Sequence, residues 1–427
     1  MLIEFRVGNY RSFKEPVTLS MVAAHLVAKD KDLDDNNVFP VDADLKLLKS
    51  AAIYGANASG KSNLAKALGF MRWFMINSSK ETQSTEKIGV EPFTLSTTTD
   101  TQPTFFEIVF LMDDRKYRYG FEATADQIVS EWLFYVPKSR ETRLFERKFN
   151  DFTISRTYKA DGVQQRTRQN ALFLSVSAQF NVEIAESILS YLTHNIKIIS
   201  GLHDETYLSY TIRCLKDSQS RHEILQLLEK LDLGFSDIKI KNIKVTDPLL
   251  DKLPDEIKKL ILSHEEGDLT AVQTVHQKFD EAEQPISTEL FDLRHQESEG
   301  TQKVFALAGS LVDTLKHGEV LIIDEFDARI HPLLSQAIVK LFNSNITNPN
   351  NAQLVVMTHD TNLLSNKLFR RDQIWFTEKS RYGATDLYSL AEYKVRNDAS
   401  FESDYIKGKY GAIPYISNLN PVIDTHD

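Results

Sequence analysis

The residues best able to do chemistry stand in a few short runs. Gly55-Ala-Asn57-Ala-Ser59-Gly60-Lys61-Ser62, followed by Asn63, fits the pattern G-x-x-x-x-G-K-[ST]. In that pattern glycines let the backbone approach phosphate, and N–H groups at a helix N-terminus cradle its oxygens. Lys61 is expected to hold β- and γ-phosphates and Ser62 to ligate Mg²⁺, so ATP and Mg²⁺ are the expected cofactors. Gly55, Asn57, Ser59, Gly60 and Asn63 complete the expected binding set. A plain glycine-rich turn would account for the glycines but not for Lys-Ser at this spacing.

A second run, Val320-Leu-Ile-Ile-Asp324-Glu325, reads as a buried parallel strand ending in two carboxylates. Asp324 is expected to reach Mg²⁺ through water and Glu325 to polarise the attacking water as general base. Another apolar run, LVVMTHD, puts His359 at a strand tip, where an imidazole can hydrogen-bond the γ-phosphate or that water. Lys61 and Asp324 lie too far apart in sequence for a compact phosphate-loop domain without an insertion. Ahead of Asp324, Ser298-Glu-Gly300-Thr opens a predicted helix over Gln302–Leu315. It is a second anion site, best explained as facing the nucleotide of another subunit; the alternative is an N-cap without a ligand.

The elements that must position these groups follow from periodicity. Ile3, Phe5 and Val7 alternate with charged residues as in a half-buried strand. LLKSAAIYGANASGKSNLAKALGFMRWFM reads as strand, loop and helix, with Leu64, Ala67, Leu68, Met71 and Phe74 on one face. Alternation before and after Asp113-Asp-Arg-Lys116 predicts a hairpin. Further strands are expected at Ile128–Val136, Leu144–Lys148, Phe152–Tyr158 and, last, Ala171–Val176. Helical spacing follows, interrupted by a strand at IKIKNIKV and continuing to about residue 265, and strand text returns at Thr274–Arg294. The expected fold class is α/β, a nucleotide-binding head with an antiparallel β layer and an inserted helical arm. The expected segments are 1–177, an N-terminal lobe; 178–273, the arm; 274–395, a C-terminal lobe; and 396–427, a tail.

Composition narrows the classes. The 427 residues include one cysteine, Cys214, which excludes an internal disulfide or a cysteine zinc site and fits a cytoplasmic location. No apolar stretch approaches the roughly 18–20 residues that cross a bilayer, so no membrane partner is expected. The net charge of −10 argues against a uniformly nucleic-acid-binding surface. Lys239, Lys241 and Lys244, or Arg140, Arg143, Arg147 and Lys148, could form a local basic groove or a solvated face. Glu107 with Asp114-Arg-Lys116 imitates a nuclease pattern, but Asp113–Lys116 reads better as a turn.

The order of phosphate loop, Ser-x-Gly turn, Asp-Glu strand and histidine, with VGNYRSF at the start, resembles the ABC-type ATPase heads of the SMC, Rad50 and RecF group. That resemblance implies two heads sandwiching two ATP molecules, with Ser298 and Gly300 facing the other subunit's phosphate loop and Asp327 across the interface. It also implies a glutamine near Mg²⁺, for which Gln179 is the candidate, and places Arg11 and Ser12 at the nucleotide's border. SFKEPVTLSM, ALFLSVSAQFN, FDLRHQESEGT, IDEFDARIHP, THDTNLL, RRDQIWFTEK and DYIKGKYGAIP are similar to the RloA-like branch of prokaryotic AAA-type proteins (AAA_15/AAA_21) of abortive-infection and anti-phage loci, relatives of OLD ATPase heads. The resemblance covers about residues 1–415. It implies an ATP-linked homodimer or higher oligomer and a separately encoded effector, often a nuclease. Two alternatives stay open: a DNA-repair ATPase that clamps DNA itself, and an ATP-gated scaffold without turnover. The segment after Asp372 is either a partner-docking tail or packs on the core.

Overall fold

The computed structural model describes residues 1–81, 83–137, 140–244, 268–396 and 399–415. The expected arm from 245 to about 265 lies outside the described residues, as do 397–398 and 416–427 of the expected tail and the Lys244 side chain. Leu2–Gly8 forms a strand with Leu2, Phe5 and Val7 buried, next to the edge strand of an antiparallel sheet of seven strands. From one edge they are Asp151–Ile154, Thr142–Lys148, Ile128–Val136, Arg115–Ala123, Thr104–Met112, Leu2–Gly8 and Val17–Ser20. The expected hairpin turns at Asp113 and Asp114, both with positive φ (48° and 56°), the backbone that matches strand twist in a two-residue turn.

The nuclease-like grouping is not assembled. Glu107 accepts instead from Arg6, Arg118 and the Trp132 indole. Of the basic residues, Arg147 is buried, donates to the Ala171 carbonyl and faces buried Glu131 at 3.7 Å, so it cannot join a surface groove.

The expected last strand at Ala171–Val176 is instead the start of a helix, Phe173–Gln179. Its apolar run does not by itself distinguish a strand from a buried helix. What decides is Glu131, whose carboxylate accepts from the N–H groups of Phe173 (2.6 Å) and Leu174 (2.9 Å) and caps the helix N-terminus from the neighbouring sheet.

The second sheet has six strands in the order Ile196–Ser200, Val320–Asp324, Gln353–Met357, Ser50–Tyr54, Ile374–Lys379 and Thr385–Ser389. The first five run parallel and the last pairs antiparallel. Ser50–Tyr54 and Gln353–Met357 are buried along their whole length, as central strands of such sheets are. The helix Lys61–Asn77 joins the two sheets. Leu64, Leu68, Met71 and Phe74 share one core with Phe106 and Phe121 of the antiparallel sheet and Ile53, Ile322 and Val355 of the other.

The chain divides into two compact units: Met1–Ser200 with Thr314–Asp327 and Ile338–Asp427, and Gly201–Asp313 with Ala328–Ala337. This differs from the four expected segments. Helix Glu183–Asn195 belongs to the first unit because Ala185, Ile188, Leu189 and Leu192 enter its core. The second unit is not purely helical. The residues 238–244 of IKIKNIKV lie in the strand Asp237–Lys244, which pairs with Asp268–Phe279, and that strand pairs with Pro285–Asp292 in a three-stranded antiparallel sheet. The expected division at 273/274 would cut its middle strand. Helix Glu299–His317 starts in this unit, where Thr211 bonds both the Ala306 carbonyl and the Gly309 N–H. A Cβ at Gly309 would stand 2.6 Å from Thr211 Oγ1, so glycine permits this close approach.

Candidate nucleotide site

Six residues lead from the buried strand Ser50–Tyr54 to the helix that opens at Lys61. Gly60 stands at the helix N-cap with φ 116°, and a Cβ there would lie 2.5 Å from Thr385 Oγ1. Both the backbone and the neighbour demand glycine. The loop is held from across the sheet: Ser59 Oγ bonds Thr377 Oγ1 (2.7 Å) and the Ser59 carbonyl accepts from Thr385 Oγ1 (2.7 Å). Asn63 donates to Ser12 Oγ (2.8 Å), and the Ser12 carbonyl accepts from the Thr385 N–H (2.7 Å). Ser12 is thus buried against the start of the phosphate-loop helix. Arg11 turns away to an ion pair with Glu91 and does not line the cleft.

A cleft of about 610 Å³ is lined by Asn57, Ala58, Ser59, Gly60, Lys61, Ser62 and Asn63 on one side, with Glu325, His359 and Lys379 around it. Lys61 Nζ donates to the carbonyls of Gly55 (2.8 Å) and Ala56 (3.3 Å). Burial pulls its pKa down, and Glu325, Asp324 and Asp327 oppose that shift. Asp324 Oδ1 accepts from Ser62 Oγ (3.1 Å) and from the Glu325 N–H (3.1 Å). Two hard oxygen donors, a hydroxyl and a carboxylate, therefore meet at the loop, the set that Mg²⁺ takes beside nucleotide phosphates. Glu325 itself has φ 53°, a strained backbone for a side chain of its size and of a kind concentrated at functional sites.

Asp327 and His359 are tied together. Asp327 Oδ1 accepts from Thr358 Oγ1 (2.7 Å) and from the His359 N–H (3.1 Å), fixing the histidine at the mouth of its strand. Burial, then the Lys61 charge, hold His359 below its ordinary value against the pull of Asp327, Glu325 and Asp324, which favours the neutral imidazole.

Gln179 is not brought to this cleft. Ser175 of its helix bonds Ser79, just past the far end of the helix that starts at Lys61. At 1.5 Å per residue that contact lies about 25 Å from Ser62, and Gln179 is only one turn further along and exposed. The expected role as a metal ligand is corrected accordingly.

In the second unit, Ser298 Oγ accepts from the Thr301 N–H (3.1 Å) and caps the helix Glu299–His317. A Cβ at Gly300 would lie 2.9 Å from the Arg329 carbonyl. The preceding Glu297 accepts from Thr274 and pairs with His276 (2.6 Å), anchoring the turn to the three-stranded sheet. Ser298 and Glu299 are exposed.

Sequence reasoning missed Lys379, Thr377 and Thr385. Their only signal is the strand text QIWFTEK and its neighbour, which fixes no partner. Among the described residues no helix is long and apolar enough to cross a membrane.

The family described as "AAA domain, putative AbiEii toxin, Type IV TA system" matches residues 50–365. No curated protein matches the sequence. Among solved structures, the chain is similar to an SMC head domain from Thermotoga maritima at 12% identity and TM-score 0.39, covering 91% of this chain and 98% of that one. It is also similar to an Smc head domain with a coiled coil and joint from Pyrococcus yayanosii, at 10% identity and TM-score 0.42, covering 96% and 99%.

Proposed function

The chain belongs to the family of AAA domains described as putative AbiEii toxins of type IV toxin-antitoxin systems, and from that premise we propose that it binds and hydrolyses ATP, dimerises through it, and controls a separately encoded effector in anti-phage defence. One observation carries the catalytic part: Ser62 and Asp324 are hydrogen-bonded while Lys61, Glu325 and His359 line the same cleft. Lys61 holds the β- and γ-phosphates against the helix N-terminus, where backbone N–H groups complete the cradle. Ser62 and Asp324 would hold Mg²⁺, which neutralises charge on the phosphate oxygens. Glu325 takes a proton from the attacking water, and neutral His359 orients that water or the γ-phosphate. Most of the rate comes from positioning and charge stabilisation rather than covalent chemistry.

The helix N-terminus at Ser298–Gly300, exposed at Ser298 and Glu299, supports dimerisation, since its cap leaves further N–H donors to an anion presented by a second copy. The effector and the defence role rest on the family's toxin-antitoxin description; a nuclease is the expected effector. The test is ATP turnover and solution mass, with and without ATP, for wild type and Glu325→Gln. Turnover falling at least 100-fold in the variant, with mass doubling in ATP, is expected from loss of a general base. Equal turnover in both would overturn the catalytic reading. Unchanged plaque protection by Lys61→Ala, with neighbouring genes present, would overturn the defence reading.

A further inference from the structure

The cleft holds a second cation that the catalytic reading leaves without a task. Lys379 is the last residue of the strand Ile374–Lys379 and is exposed at the cleft wall. Its side chain has no hydrogen-bond or ion-pair partner among the described residues, whereas Lys61 is already bonded to the loop's own carbonyls.

Its side of the site follows from the sheet. The strands that deliver Asp324, Glu325 and His359 lie on one flank of the phosphate-loop strand, and Ile374–Lys379 lies on the other. Phe376 pairs with Tyr54, and three residues beyond each member of that pair stand Lys379 and Asn57. The Lys379 backbone is held in place, because its register partner is Thr385, whose hydroxyl bonds Ser59 and whose N–H bonds Ser12. This hairpin, the phosphate loop and the Ser12 turn therefore make one frame.

We propose that Lys379 binds the nucleotide at its nucleoside end, on the α-phosphate, across the loop from the carboxylates that act on the γ-phosphate. This rests on the ATP reading above. A nucleotide whose γ-phosphate lies by Ser62, Asp324, Glu325 and His359 must run its remaining phosphates toward the opposite flank, where Lys379 supplies the positive charge. ATP and ADP share an α-phosphate, so Lys379 contributes equally to both. Because that charge does not change as the γ-phosphate leaves, its contribution is uniform binding and not rate.

The experiment measures KM and kcat for ATP and Kd for ADP on the full chain, for wild type, Lys379→Ala, Lys379→Arg and Lys61→Ala, with thermal melts as a folding check. Lys379→Ala is expected to raise KM for ATP and Kd for ADP together by about 10-fold, the worth of one charge-assisted contact, with kcat within about twofold. Lys379→Arg should restore most of the affinity. Unchanged affinity for both nucleotides in Lys379→Ala overturns the proposal, and a fall in kcat at constant KM places the side chain at the γ end and overturns it too. If Lys61→Ala loses ATP binding while Lys379→Ala does not, only this assignment fails; if wild type binds no ATP, the nucleotide reading fails with it.

Discussion

The phosphate loop and the Ser298–Thr301 turn are both glycine-containing helix N-termini, yet they are held by opposite means. The loop's shape is imposed from outside: Thr377 and Thr385 grip Ser59, and Ser12 takes the Asn63 amide. The turn closes on itself through Ser298 Oγ and Thr301, and Glu297 ties it to its own sheet. A loop built by distant neighbours fails when any of them changes. A turn capped by its own serine depends first on its own residues and on the nearby sheet that holds Glu297.

The largest expected effect is at Gly60. Gly60→Ala puts a Cβ into a left-handed backbone and 2.5 Å from Thr385 Oγ1. Strain and overpacking together should cost about 2–4 kcal/mol, read from denaturant unfolding, and ATP binding should be lost. A variant as stable as wild type and still binding ATP would break the claim that the loop's shape is externally fixed.

Thr385→Val sharpens the comparison further, because it keeps the volume and deletes only the bond to the Ser59 carbonyl. A buried carbonyl losing its donor should cost about 1–2 kcal/mol and raise KM for ATP severalfold, while Thr385→Ser stays near wild type. Equal unfolding midpoints for Val and Ser would show that the hydroxyl does not hold the loop.

These dependencies explain which parts of the molecule could be read from sequence. Gly60-Lys61-Ser62, Asp324-Glu325 and His359 announce themselves because their chemistry fixes residue type and their strands are short apolar runs. The Asp113-Asp114 turn is similarly local. Thr377, Thr385 and Lys379 are ordinary strand residues whose importance comes only from partners more than three hundred residues earlier: Ile374–Lys379 pairs with Ser50–Tyr54, and the Thr377 and Thr385 hydroxyls bond Ser59. Phe173–Gln179 escaped because the carboxylate that caps it, Glu131, belongs to another sheet, and with it went the placement of Gln179. The C-terminal motif is a parallel case. Its Tyr410 carbonyl accepts from both Tyr388 and Tyr393, and Tyr405 bonds the Ala412 carbonyl, so its described part packs on the core. Tyrosines spaced in this way say nothing of their acceptors.

The smallest effect on the isolated chain is expected at the other helix N-terminus. Ser298→Ala deletes one exposed cap, worth about 1 kcal/mol, and leaves the bonds that shape the Lys61 loop unchanged. Unfolding should shift slightly and ATP affinity of the monomer should not move. If the turn serves a second copy's nucleotide, the ATP-driven doubling of mass should nevertheless disappear, and with it turnover at low protein concentration. Small cost inside the chain and large cost between chains is the signature of a turn built to face outward. A fall in monomer ATP affinity instead would mean that the turn supports its own cleft, and the contrast between the two helix N-termini would not hold.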